Sequence, residues 1–159
     1  MDDLKIKYLV CAIIILIAAY IDIRDRRIPN TLTLPLIVFG FLINLLIQGS
    51  SGLYYSFLGF LLAGLPFLML YSVGAMGGGD VKLMMGVGAV LQFQYTPSML
   101  FYTFVFGGLV AVVMIIKCHI QQKQEHGKMQ KYGINPFKQT IPYGVAIAMG
   151  GIVTILRVI

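Results

Sequence analysis

Six acidic side chains in 159 residues leave few places where acid–base chemistry could occur. Asp2 and Asp3 stand at the amino end and Glu125 in a polar stretch, so the search narrows to Asp22, Asp25 and Asp80. Asp22 follows an unbroken apolar run from Tyr8 to Ile21, and Asp80 closes Gly77-Gly78-Gly79 ahead of another apolar segment. A carboxyl within a membrane span costs about 2.5–3.5 kcal/mol on insertion scales and marks a functional position by default. Asp25 stands among Arg24, Arg26 and Arg27, company that suits an ion pair better than proton transfer, so Asp22 ranks above it. Two carboxyls from distant parts of a chain, if brought within several ångströms, do not both ionise readily. Such a pair can run aspartic proteolysis. The ionised member takes a proton from water, the protonated member polarises the scissile carbonyl, and the roles exchange as the tetrahedral intermediate collapses. Other chemistries lack their residues: there is no Ser/His/Asp set, no metal-binding His motif and no phosphate loop followed by Lys-Ser/Thr. Cys11 and Cys118 have no partner at metal-ligand spacing apart from His119, and His126 reads as a solvated loop residue. Neither a metal nor a cofactor is expected.

The elements that must position these acids follow from composition. The chain is 58% apolar and 11% charged, with a mean hydropathy of +0.87, whereas soluble domains are near half apolar and a quarter charged. That balance excludes a disordered chain, a disulfide-built secreted domain and a conventional water-soluble enzyme core. It points to one polytopic membrane domain covering residues 1–159. The net charge of +6 lies between apolar runs, which is a topology pattern and not a nucleic-acid footprint.

A span needs roughly 20 mostly apolar residues. Six are expected, over residues 4–23, 33–47, 53–73, 81–94, 99–116 and 141–159, and no stretch alternates as a barrel strand would. The fold expected is therefore an all-α membrane helix bundle of six transmembrane helices. The first run leads straight into Asp22-Ile23-Arg24-Asp25-Arg26-Arg27, which argues against a cleaved signal peptide. Alternate loops hold nine cations on one side (Arg24, Arg26, Arg27, Lys82, Lys117, Lys123, Lys128, Lys131, Lys138) and three on the other (Lys5, Lys7, Arg157). The positive-inside rule puts the first set in the cytoplasm and both termini outside. The connections at 48–52 and 93–98 carry no charge. The basic stretch from Lys117 to Thr140 either lies along anionic headgroups, at about 1 kcal/mol per cation, or merely sets topology as a solvated connector.

Local signals add detail around the acids. Pro29 disfavours helix at Ile28, and Asn30 or Thr31 offers a cap for the second span. The three glycines before Asp80 each cost a helix about 1 kcal/mol, so they imply unusual dihedrals or the close approach of another segment. Gly74 with Gly78, and Gly59 with Ala63, read as helix contacts.

Three segments together resemble the type IV prepilin peptidases, the prokaryotic branch of the GxGD membrane aspartic peptidases. They are Tyr20-Ile21-Asp22-Ile23-Arg24 through Ile28-Pro29-Asn30, then Gly77-Gly78-Gly79-Asp80-Val81-Lys82-Leu83, then Ile141-Pro142-Tyr143-Gly144. The resemblance implies that Asp22 and Asp80 are the catalytic aspartates, at the cytoplasmic face of a prokaryotic cytoplasmic membrane. It implies that Gly77, Gly78, Gly79, Pro142, Tyr143 and Gly144 line the substrate cleft. The partners implied are precursors of type IV pilins, pseudopilins or archaeal pilin-like subunits, cut between a short basic leader and a hydrophobic helix. Leader and protein face are both basic, so recognition rests on the aspartates, backbone pairing by the glycines and shared anionic lipid. The chain lacks the cysteine-rich insertion of the larger bifunctional members, which implies a peptidase without the methyltransferase. Two readings outside this activity stay open: a transporter or channel subunit whose aspartates bind protons or cations, and an inactive pilus-assembly factor.

Overall fold

The computed structural model describes residues 2–74, 76–124 and 143–158, and every regular element among them is a helix. There are four: α1 (Asp2–Asp25), α2 (Asn30–Ser72), α3 (Gly78–Gln124) and α4 (Tyr143–Val158). Three of them contain stretches long and apolar enough to cross a membrane, Lys5–Asp25, Asn30–Ser72 and Gly78–Val113. The basic stretch expected along the membrane surface lies, from residue 125 on, outside the described residues, as do Glu125, His126 and Pro142.

Four helices replace the six expected because two of them are interrupted by one residue each. Gly49 (φ 65, ψ −147) divides α2 into arms 30–48 and 50–72, and Gln92 (φ 63, ψ 172) divides α3 into arms 78–91 and 93–124. Hydrogen bonds show that the first break is a reversal. The Asn44 amide donates to Ser56 Oγ at 2.8 Å, although twelve residues of straight helix would separate them by about 18 Å. Thr96 Oγ1 similarly lies 3.5 Å from the Gly88 carbonyl eight residues back. The uncharged stretches expected to be loops are thus helical up to a single residue. The six arms coincide with the six expected segments to within a few residues at most ends. Pro97 falls five residues after its break, close to the start of the second arm.

Small residues bring α2 and α3 together. A Cβ on Gly59 would overlap the Gly88 carbonyl oxygen, and one on Gly88 would lie 2.6 Å from Ala63 Cβ. Gly59 and Ala63 therefore do make the helix contact expected of them, of the kind that lets backbones approach closely in lipid. Gly74 does not. Its φ is 74, a Cβ there would meet nothing within 4 Å, and it turns the chain after α2. Around the Gly59–Gly88 contact Leu36, Phe67, Leu83, Met84, Val87 and Leu91 form the core. Leu46, Phe101, Leu109 and Leu156 are among many large apolar side chains left on the outside, an exterior suited to lipid.

Two local expectations need correction. Pro29 itself is the N-cap of α2 (φ −72, ψ 145), and no side chain caps that helix. The Asn30 side chain instead accepts a hydrogen bond from Lys82 Nζ at 2.9 Å, tying α2 to α3 beside the glycines. Lys7, counted as a flanking cation, is fully buried and donates to Asn44 Oδ1 at 2.7 Å.

Candidate active site

Asp22 lies in the last full turn of α1 and Asp80 in the first turn of α3. The chain leaves α1 through Arg26, whose φ of 50 and N–H bond to the Asp22 carbonyl (3.0 Å) close the helix. Ile28 and Pro29 then run past the start of α3. There the Gly77 carbonyl accepts from the N–H groups of Asp80 (3.2 Å) and Val81 (3.4 Å), so the first turn of α3 begins at the glycines.

Gly78 and Gly79 are helical and have no positive φ, so they are not an unwound stretch. Close approach accounts for Gly79: a Cβ there would lie 2.7 Å from the Ile28 carbonyl oxygen. That lets the α1–α2 connection lie against the start of α3, and it brings the two acids to one place. A cavity of 210 Å³ is lined by Asp22, Asp80, Gly77, Gly78, Gly79, Arg26, Arg27 and Ile28. The two residues line one cavity and both are nearly buried, Asp22 at 5% and Asp80 at 7% exposure.

The surroundings of the two acids differ. Asp22 Oδ2 accepts the Gly144 N–H at 2.8 Å, from the start of α4. Gly144 is required there, because a Cβ would lie 2.7 Å from that oxygen. Asp80 Oδ1 is buried without a hydrogen-bond partner among the described residues, a rare state for a carboxyl oxygen. Asp25 is exposed, and among the described residues its ion pair is with Arg24, at 3.8 Å. Arg26 and Arg27, read from the sequence as partners of Asp25, line the cavity of Asp22 instead. Arg26 follows Asp22 by four residues, one helical turn, and that spacing was the available signal.

Tyr143 does not reach this cavity. It lines a neighbouring apolar one of 280 Å³ with Met76, Phe67, Leu70, Phe104 and Ala146. The two linings adjoin in sequence, since Met76 precedes Gly77 and Tyr143 precedes Gly144, whose N–H bonds Asp22.

The description "type IV leader peptidase family" belongs to the family profile that matches residues 9–112. The matched stretch contains both aspartates, the glycines and the breaks at Gly49 and Gln92. The chain belongs to the type IV leader peptidase family. Relatives include the prepilin peptidase EppA of Methanocaldococcus jannaschii, 37% identical over 102 residues, which are 64% of this chain and 28% of that protein. A prepilin leader peptidase/N-methyltransferase of Bacillus subtilis is 28% identical over 146 residues, 90% of this chain and 52% of the relative. Another, from Dickeya chrysanthemi, is 32% identical over 123 residues, 74% of this chain and 43% of the relative. The chain thus spans between about a quarter and a half of the length of these type IV leader peptidase relatives. No solved structure matches it.

Proposed function

We propose that this chain is a membrane aspartic endopeptidase that removes the leader from type IV pilin-like precursors. One observation carries the reading: two nearly buried carboxyls, from the end of one helix and the start of another, open onto a single cavity. Family membership supplies the substrate class, since the relatives are named prepilin peptidases. In this mechanism Asp22, oriented through Oδ2 by the Gly144 N–H, takes a proton from water with its other oxygen. Asp80, lining the same cavity, donates its proton to the scissile carbonyl. Attack forms the gem-diol intermediate. The proton on Asp22 passes to the leaving amine as the C–N bond breaks, and one hydroxyl returns its proton to Asp80 as the carbonyl re-forms. Asp80 sits in the first turn of α3, where the helix N-terminus favours negative charge once it has given up its proton.

All six helical arms then cross the membrane, with both termini outside and the carboxyls at the cytoplasmic face of a prokaryotic cytoplasmic membrane. Arg24, Arg26, Arg27 and Lys82 lie near the carboxyls in sequence, consistent with the positive-inside rule. The substrate cleft extends over the glycines and Tyr143. Anionic headgroups hold leader and enzyme together.

The test is cleavage of a purified pilin-like precursor by the chain in lipid vesicles, with products read by mass spectrometry. Wild type is expected to release one leader, and Asp22→Asn and Asp80→Asn none. Cleavage surviving both substitutions would overturn the reading. Gly144→Ala is a milder version of the same test. The added methyl displaces Asp22 by a few tenths of an ångström to an ångström, and cleavage should fall about 10- to 100-fold with normal yield of folded protein.

A further inference from the structure

The face of α1 that turns inward is one stripe, Lys7, Cys11, Ile15, Ala18 and Asp22, at helical spacings of four, four, three and four. The three central residues and Lys7 are completely buried, while Leu9, Ile13, Leu16 and Tyr20 on the other face are exposed. Between its two polar ends the stripe offers only a thiol and aliphatic groups. Such contacts are not directional, and they fix the height and rotation of one helix against another less sharply than a hydrogen bond does.

Among the described residues, α1 makes two side-chain hydrogen bonds to other helices, one from each end of this stripe. The bond of Asp22 goes to Gly144, so it ties α1 to α4 and not to the helix that carries Asp80. The bond of Lys7 goes to Asn44 Oδ1 at 2.7 Å. Asn44 is itself held fast: its amide nitrogen lies 2.9 Å from the Gly40 carbonyl, 2.8 Å from Ser56 Oγ, 3.0 Å from the Ala89 carbonyl and 3.3 Å from the Val90 carbonyl. Those groups belong to both arms of α2 and to the first arm of α3, the arm whose first turn carries Asp80. The Lys7 ammonium also lies over the Tyr8 ring, 4.8 Å from its centroid. A lysine near the end of a membrane helix ordinarily extends to the headgroups. This one turns inward, onto an amide already bonded to three helical arms.

We propose that Lys7 is a positioning residue: by bonding Asn44 it sets the height and rotation of α1 against α2 and α3, and so where Asp22 meets Asp80. The two ends of the stripe are fifteen residues, about 22 Å, apart along the helix. A slip of one residue at Lys7 carries Asp22 about 1.5 Å along the axis. An error of that size is enough to cost about 100-fold in rate.

The decisive measurement does not depend on peptidase activity, so it can fail separately from the proposed function on which the catalytic consequence rests. In a Cys11→Ala, Cys118→Ser background, two cysteine pairs are compared with a short bifunctional thiol reagent. The first pair, Asp22→Cys with Asp80→Cys, spans the two parts that Lys7 joins. The second, Asn30→Cys with Lys82→Cys, lies at the same end but within α2 and α3, where the native side chains are 2.9 Å apart. Adding Lys7→Met is expected to slow linkage of the first pair at least fivefold and to leave the second unchanged. Unchanged linkage of the first pair overturns the proposal. So does loss of both linkages, or of the protein itself, because Lys7 would then be holding the bundle together and not placing α1. With native aspartates, Lys7→Met should lower kcat for precursor cleavage about 10- to 100-fold and leave KM within twofold. A rise in KM at constant kcat would also overturn it.

Discussion

Asp80→Asn is expected to reduce precursor cleavage by about 10⁴-fold while the protein accumulates as well as wild type or better. The size follows from removing a general acid whose proton has no substitute. Acid–base catalysis contributes up to about 10⁴-fold, and here one group serves both as proton donor and as later acceptor. Tenfold in rate is about 1.4 kcal/mol, so the loss corresponds to about 5.5 kcal/mol of transition-state stabilisation. Asn has nearly the same shape as Asp, so packing against Gly77 and the α1–α2 connection survives. A carboxyl is a costly group to bury, and Asp80 Oδ1 has no hydrogen-bond partner among the described residues, so an amide there relieves folding. Asp22→Asn should lose as much activity. Asp25→Asn, which removes only an exposed pair with Arg24, should stay within twofold of wild type. Initial rates with each variant at equal folded protein check all three. A large loss for Asp25→Asn, or a small one for Asp80→Asn, contradicts the assignment.

Gly59→Ala should be among the most damaging single methyls outside the site. Its Cβ would overlap the Gly88 carbonyl oxygen and lie 2.8 Å from the Gln92 carbonyl carbon. Both neighbours are backbone, so no side chain can rotate away, and α2 must part from α3 along the contact. Overpacking of this kind typically costs 1–3 kcal/mol, and with backbone on both sides about 3 kcal/mol is expected. For a domain of this size that is roughly a 10 °C fall in thermal midpoint. Gly108→Ala is the matched control, since a Cβ there meets nothing within 4 Å. Alanine is the better helix former by up to about 1 kcal/mol, so this variant should melt no lower than wild type. Thermal unfolding of both in one detergent decides the matter, and equal midpoints would refute the packing argument.

Much of the architecture is legible from hydropathy, because each helical arm is a continuous apolar run. The breaks are harder to read. An uncharged stretch such as 93–98 looks like a loop, yet only Gln92 leaves the helix, and glutamine is not a residue that announces a positive φ. Its conformation is held by tertiary partners, with its side chain donating to Gln48 Oε1 at 2.8 Å and Thr96 Oγ1 donating to its carbonyl at 2.6 Å. Lys7 is misleading for the same reason, since its acceptor lies 37 residues further along the chain. At the site, scarcity singles out Asp22 and Asp80, and a resemblance to known motifs draws attention to Gly144. The glycines before Asp80 are visibly unusual in the sequence, but space accounts for Gly79 and dihedral freedom does not. That distinction depends on Ile28, fifty-one positions away, and no local pattern carries it.

The reversals at Gly49 and Gln92 leave the end of the bundle remote from the carboxyls with almost no slack. An epitope or protease site inserted at position 49 or 92 has no ribbon to occupy, and accommodating it would unzip the Asn44 and Gln48 bonds that knit the arms. Labels that report on topology therefore belong at the chain ends, where they can be added without prying the hairpins open.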